Sequence, residues 1–141
     1  MVFKIKNTMA KYDIAYELTG GFEGGFSDVP GDNGGYTYCG ITEKNYPSWP
    51  YWSDIRSKNP KHNQVFPELH EAVKEFYKKE FWDKIHGDDI SSQSLANQIY
   101  DTAVNAGISR AISLAQQSLG VAVTGKINNE MLNALKGEAL I

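Results

Sequence analysis

Apolar residues recur at the helical period through most of this chain, and one polar, glycine-rich segment near the start interrupts them. The first apolar stripe predicts a helix over residues 10–23 and consists of Ile14, Ala15, Leu18 and Phe22. Two glycine pairs, at positions 20–21 and 24–25, can each end this helix. Because Phe22 keeps the period, we expect the later end, which makes Glu23 the last helical residue.

The polar segment covers residues 24–42, holds six glycines and one proline, and predicts a loop or a short β-hairpin. Residues 43–66 contain three prolines and a group of aromatic residues. Proline disfavours regular structure there, so only a short helix around residues 51–57 is expected.

Four further helices are predicted from the rest of the pattern. One starts at Pro67 and ends at His86-Gly87, and its expected inward residues are Leu69, Ala72, Val73, Phe76, Tyr77 and Phe81. The other three cover residues 92–106, residues 109–119 and a last segment from about 128, and they are delimited by Gly107, by Gly120 and by Asn128 or Asn129. The predicted fold class is mainly α, with a small hairpin or loop region after the first helix.

Length and charge restrict the classes of protein to which the chain can belong. Its 141 residues suffice for one core, so we expect a single domain over residues 1–141. The formal net charge is −3 and no basic block occurs, which argues against a nucleic-acid partner. No apolar run approaches the roughly 20 residues that cross a bilayer, so no integral membrane segment is expected.

Cysteine and histidine usage narrows the chemistry. The single cysteine, Cys39, rules out an intrachain disulfide and suits a reducing compartment. It is expected to be a buried small residue rather than a nucleophile. The three histidines lack the spacing of a metal site, and neither a metal nor an organic cofactor is expected. The first ten residues lack the apolar centre of a signal peptide, which predicts synthesis in the cytoplasm and action elsewhere after release or export.

Glu23 is the strongest candidate for catalysis. At a helix end its carboxylate would meet the negative end of the helix dipole, and the flanking Phe22 and Phe26 would reduce its solvation. Both effects raise the pKa of a carboxyl group. A glutamic acid that stays protonated near neutral pH can give its proton to a departing glycosidic oxygen. The competing interpretation is a solvated glutamate beside a glycine turn.

Other residues of the polar segment can assist such an acid. Asp32 and Asp28 are candidates for a second carboxyl group, which stabilises positive charge at the anomeric carbon or activates water. Thr37 and Thr42 offer hydroxyl groups that orient a water molecule or hold the glutamate. Ordinary roles compete here as well, because Asp-Asn-Gly-Gly makes a good turn and threonine suits strands and caps. An acid followed by a loop that admits a large polar substrate is typical of an enzyme that cleaves sugars.

Two further groups are candidates for contact with a substrate. The first is aromatic, with rings that suit the faces of sugars, and consists of Tyr36, Tyr46, Trp49 and Trp52. The second is polar and consists of Asn97, Asp101 and Asn105, which are four residues apart and share one face of the predicted 92–106 helix. That face is either the wall of a cleft or an ordinary solvated surface.

These residues resemble a known family. The motif Glu-Gly-Gly-Phe-Ser-Asp at 23–28, with Pro30, Asp32, Gly34-Gly35, Thr37 and Gly40-Ile41-Thr42, resembles the opening motif of glycoside hydrolase family 108, which comprises lysozyme-like N-acetylmuramidases. Residues 76–82 and 100–107 are similar to the second and third blocks of that family. Residues 115–120 and 124–127 are similar to its C-terminal, peptidoglycan-associated region.

The resemblance implies a lysozyme-like helical domain that hydrolyses the β-1,4 bond between N-acetylmuramic acid and N-acetylglucosamine in peptidoglycan, as an endolysin does. It divides the chain into a catalytic motif region, 10–90, and a C-terminal helical region, 91–141. We expect Glu23 as the catalytic acid, with Asp32 and Thr37 assisting. The expected substrate contacts are Asp28, Tyr36, Thr42, Tyr46, Trp49, Asn97, Asp101 and Asn105.

The chain departs from the family pattern at three positions. Phe26 stands where tyrosine is common, Asp28 where asparagine is common, and Cys39 where an aromatic residue is common. Two alternatives therefore stay open. One is a module that binds peptidoglycan or a partner protein without cutting it, and the other is a chitinase- or chitosanase-like glycosidase on the same helical frame.

Overall fold

A computed structural model describes residues 9–20, 24–28 and 35–137 of the chain. The helices are α1 (Tyr12–Thr19), α2 (Trp52–Ser57), α3 (His70–Tyr77), α4 (Gln93–Ala106), α5 (Ile108–Leu119) and α6 (Asn129–Leu135). The strands are β1 (Phe26–Asp28), β2 (Tyr36–Tyr38) and β3 (Ile41–Thr42). The expected mainly α fold with a small sheet after the first helix is confirmed.

The chain forms two compact units. The first combines Met1–Thr19 with Lys74–Ile141, and the second consists of Gly20–Val73. All three strands and α2 belong to the second unit, whereas α1, α4, α5 and α6 belong to the first. The organisation as one domain with a functional division after residue 90 stays a prediction.

The first helix ends earlier than expected and buries a different face. Gly20 follows Thr19 with a φ of 57°, the left-handed conformation in which glycine ends helices. The helix end therefore lies well before Glu23, and the expected placement of that residue at the end of α1 is wrong. Tyr12, Ala15 and Tyr16 are buried, while the predicted inward residues Ile14 and Leu18 are 43% and 68% exposed. The helix face with the two tyrosine rings is the buried one, because these rings bury more apolar area than two aliphatic side chains.

A π-turn decides which residue of the 76–82 block enters the core of the first unit. The turn covers Lys78–Trp82, and its wider geometry shifts the helical register. Trp82 is consequently fully buried, whereas Phe81 is only partly buried and stacks on Tyr77. The prediction that Phe81 faces the core was therefore wrong by one residue. The Trp82 indole N–H donates to Asp88 Oδ1 at 2.9 Å, so its polar edge is satisfied.

The last three helices begin and end close to the predicted positions. The Ser92 side chain caps α4 by accepting a hydrogen bond from the Leu95 amide at 3.1 Å. Gly107 ends α4, and Gly120 ends α5 with a φ of 73°. The Asn128 side chain caps α6 by accepting from the Met131 amide at 2.9 Å. The predicted ends at Gly107 and Gly120 and the predicted cap at Asn128 are confirmed, because a local signal sets each of these ends.

A buried glutamine joins the two C-terminal sequence blocks. Gln116 on α5 is fully buried, and its Oε1 accepts hydrogen bonds from the amides of Thr124 and Gly125 at 2.8 and 3.0 Å. Its Nε2 donates to Thr124 Oγ1 at 3.0 Å and to the Lys126 carbonyl at 2.9 Å. Every polar site of the amide is used, which is what a buried polar group requires. Residues 115–120 and 124–127 are therefore held together inside the first unit.

Gln116→Ala should lower the free energy of unfolding by about 2 kcal/mol, because it leaves two backbone donors unpaired. The loss is moderate because Thr124 and Gly125 are not buried, so water can reach their freed amides. Urea unfolding followed by circular dichroism measures the effect. The matched control is Gln117→Ala, since Gln117 is the exposed neighbour of the same type. Equal unfolding midpoints for the two variants would contradict the structural role of Gln116.

The sheet of the second unit has one buried and one open face. Strands β1 and β2 pair antiparallel, as do β2 and β3. Side chains alternate along each strand, so Phe26, Tyr38 and Ile41 share the buried face. The turn between β2 and β3 is Cys39-Gly40, with φ values of 48° and 82°, the positive pair typical of a two-residue hairpin. Cys39 is 4% exposed, which confirms that it is a buried small residue.

Candidate active site

The structure describes one of the three residues that are expected to catalyse. Glu23 and Asp32 lie outside the described residues. Thr37 lies at the centre of β2, is partly exposed, and donates a hydrogen bond from its hydroxyl to the Ser27 carbonyl at 3.4 Å. Thr37 belongs to the second unit.

The open face of the sheet carries a row of hydroxyl groups. Ser27 pairs with Thr37 across β1 and β2, and Thr37 pairs with Thr42 across β2 and β3. All three side chains are partly exposed. The Thr42 hydroxyl accepts a hydrogen bond from the Asn45 amide at 3.3 Å. Because hydroxyl groups both donate and accept, this row can orient a water molecule or bind a sugar hydroxyl.

Tyr36 and Asp28 pair with each other at the other end of β1 and β2. Asp28 is exposed, whereas the Tyr36 ring is partly buried against Phe26 and Trp52, with centroids 4.8 and 5.7 Å away. The Arg56 guanidinium lies 4.4 Å above the centre of the same ring. One face of the ring is therefore occupied by a cation, which leaves contact with a sugar to the rest of the side chain.

Two electrostatic features accompany this ring. Arg56 forms an ion pair with Glu43, and this pair raises the pKa of the guanidinium further. Burial raises the pKa of the Tyr36 hydroxyl, although Arg56 acts in the opposite direction. The hydroxyl oxygen is shielded from solvent and has no hydrogen-bond partner in the described part of the chain. The tyrosine therefore stays protonated at neutral pH.

The aromatic group after the sheet divides into a core residue and more exposed ones. Trp52 is only 3% exposed, and its indole N–H donates to the Tyr46 carbonyl at 2.9 Å. The expected contact of Trp52 with a sugar is therefore wrong, because the core of the second unit encloses the ring. Tyr46 and Trp49 are partly exposed, and Trp49 packs against Trp52 with ring centroids 5.1 Å apart.

The polar row of α4 belongs to the first unit. Asn97 is partly exposed and accepts a hydrogen bond from Gln93 Nε2 at 2.9 Å. Asp101 and Asn105 are exposed, and the Asn105 side chain donates to the Asp101 carbonyl at 2.8 Å. The three residues share a helix face as expected, and two of their side chains already hold local hydrogen bonds.

Within residues 9–20, 24–28 and 35–137, no three side chains of the metal-binding types (His, Cys, Asp, Glu) come together as a possible site. None of the helices in these ranges combines the length and the apolar character that spanning a bilayer requires.

Comparison with known proteins decides the family. The family model described as glycosyl hydrolase 108 matches residues 16–107, which include the whole motif from Glu23 to Thr42. The chain belongs to glycoside hydrolase family 108. The solved structure of Brucella abortus SagA is similar to this family 108 domain, with a TM-score of 0.59 and 25% sequence identity over 89% of this chain and 68% of that chain. No curated protein matches significantly.

Membership of the family confirms the resemblance seen in the sequence and supports glycoside hydrolase activity. Together with the similar solved structure, it confirms the lysozyme-like helical fold. The match ends at Gly107, so α5 and α6 of the family 108 domain lie beyond it.

Sequence reasoning missed two features of the family 108 domain near the motif. The Arg56–Glu43 ion pair joins residues with no local signal between them. The close packing of Gly25 against residues 63 and 64 also went unseen. Gly25 itself, the second glycine after Glu23, was the sequence signal for this packing, since a backbone approach this close admits only glycine.

Proposed function

We propose that this domain is an N-acetylmuramidase that cleaves the β-1,4 bond between N-acetylmuramic acid and N-acetylglucosamine in peptidoglycan. The observation that carries the proposal is the family match over residues 16–107, which contains Glu23, Asp32 and Thr37 in one motif. A carbohydrate substrate follows from a glycosidase domain, and the wall polymer is the finer inference.

In the proposed mechanism Glu23 protonates the departing glycosidic oxygen. Asp32 stabilises the positive charge that develops at the anomeric carbon or activates water. Thr37 assists by orienting that water, and its place between Ser27 and Thr42 on the solvent-facing side of the sheet supports this role. The hydrogen bond from the Thr37 hydroxyl to the Ser27 carbonyl orients that hydroxyl without adding charge.

Substrate contacts are proposed in each unit separately. Asp28, Thr42, Tyr46 and Trp49 in the second unit are at least partly exposed, which supports contact with a polysaccharide. Tyr36 is proposed as a contact through the part of its ring that Arg56 leaves uncovered. The polar row of α4, Asn97 with Asp101 and Asn105, is proposed as a further contact surface. Synthesis in the cytoplasm and action on the cell wall after release or export complete the proposal.

Product analysis tests the reaction. Purified walls are digested, the soluble fragments are reduced with borohydride, and mass spectrometry identifies the sugar at the reduced end. A muramidase gives reduced N-acetylmuramic acid, whereas reduced N-acetylglucosamine contradicts the proposal. Binding to walls in a pull-down without release of reducing ends would indicate a binding module. Cleavage of chitin oligomers but not of muropeptides would indicate a chitinase-like enzyme.

A further inference from the structure

We propose that Asn63 and Gln64 are positioning residues for the catalytic glutamate, because they fix the backbone of Gly25, two residues after Glu23. This inference rests on the proposed function. It assigns a role to residues 61–66, a segment without regular secondary structure that lies far from the motif in sequence.

Three backbone hydrogen bonds hold the start of β1 on both sides. On one side, the Gly25 carbonyl accepts from the Cys39 amide at 2.9 Å. On the other side, the Phe26 amide donates to the Gln64 carbonyl at 2.9 Å, and the Phe26 carbonyl accepts from the Asn63 amide at 2.7 Å. The hairpin turn and the 61–66 segment thus clamp two consecutive residues.

The approach at Gly25 is too close for any side chain. Its φ is +69°, and a Cβ there would lie 2.6 Å from the Gln64 carbonyl oxygen and 2.7 Å from that of Asn63. Both are backbone atoms and cannot rotate aside. Gly24, by contrast, has nothing within 4 Å of the equivalent position. The tight contact is therefore specific to Gly25.

The clamping segment is itself well fixed. The Lys61 amide donates to Gln64 Oε1 at 2.9 Å, and the Gln64 amide donates to the Lys61 carbonyl at 2.9 Å, which closes a turn. Asn63 has a φ of 65°, a left-handed conformation that asparagine tolerates better than most residues. The Phe66 amide donates to the hydroxyl of buried Tyr38 at 2.8 Å, which ties the segment to the sheet.

Such a clamp can affect the reaction rate, because proton transfer depends on where the acid is placed. A misplacement of about 1 Å can lower a rate about 10²-fold. Consecutive Cα atoms are about 3.8 Å apart, so a shift at Gly25 is passed to Glu23 through only two virtual bonds. A purely structural clamp would affect stability alone, whereas a positioning clamp affects turnover in molecules that are fully folded.

Kinetics of folded variants on soluble wall fragments separate these roles. Gly25→Ala and Asn63→Val should lower kcat by about 10²-fold, with KM nearly unchanged, because substrate binding survives while the acid is displaced. Asn63→Gly should retain wild-type kcat, since glycine adopts the required φ and keeps the amide donor. Gly120→Ala is the stability control: its φ of +73° strains α5 without any contact within 4 Å.

Wild-type kcat in folded Asn63→Val or Gly25→Ala would overturn the inference, and so would an equal loss in Gly120→Ala. Hydrogen exchange of the Phe26, Cys39 and Asn63 amides supplies a readout that needs no activity. We expect protection in the wild type and loss of it in Gly25→Ala. If the wild type releases no product, the proposed function fails, and fast exchange at these amides would then overturn the clamp as well.

Discussion

We expect Glu23→Gln to lower the hydrolysis of purified cell walls by roughly 10²–10⁴-fold and to leave the thermal unfolding midpoint unchanged. The carboxamide has nearly the shape of the carboxylic acid but has no acidic proton for the leaving oxygen. Release of reducing ends measures the activity, and circular dichroism measures the unfolding. Binding to walls is expected to persist, because the substitution removes an acid and not a surface.

Glu17→Gln is the matched control, since Glu17 is an exposed glutamate on α1 a few residues before the motif. It should keep wild-type activity. Full activity of Glu23→Gln would show that another group donates the proton. Loss of activity in both variants would indicate a general effect of charge rather than the chemistry of one acid.

Gly87→Ala should destabilise the first unit by about 3 kcal/mol, at the upper end of what overpacking a core usually costs. A Cβ at Gly87 would lie 2.1 Å from Cε2 and 2.2 Å from Cδ2 of the Trp82 indole. The indole cannot move away easily, because it is fully buried and its ring contacts those of Tyr12 and Tyr100. We expect the melting temperature to fall by on the order of 10 °C.

Gly24→Ala is the control for this substitution, because it makes the same chemical change where nothing lies within 4 Å. Its melting temperature should stay close to that of the wild type. A Gly87→Ala protein as stable as Gly24→Ala would mean that Trp82 has room to shift. It would contradict the inference that this core is tightly packed.

The parts of the fold that could be predicted are those that local chemistry sets. Asn128 caps a helix with its own side chain, and Gly107 and Gly120 end helices through their backbone freedom. A small sheet within the glycine-rich segment followed from the same kind of signal. Each of these features depends on a few neighbouring residues, so one sequence suffices to find it.

The parts that could not be predicted depend on residues far apart. The buried face of α1 is chosen by Trp82 and Tyr100, which offer aromatic partners to Tyr12. The π-turn, which buries Trp82 instead of Phe81, leaves no periodic signal. The contact of Gly25 with Gln64 joins two loops. The predicted motif contained the candidate site, but periodicity could not indicate which segment holds that motif in place.

The interrupted course of the first unit bears on the order in which the protein folds during synthesis. The Ala10 amide bonds to the Ile90 carbonyl, and Tyr12 packs on Tyr100, so α1 finds its partners only after α4 has left the ribosome. The second unit is one uninterrupted stretch, residues 20–73, and all its pairings are available earlier. We therefore expect the nascent chain to complete the sheet before α1 meets the residues on which it packs.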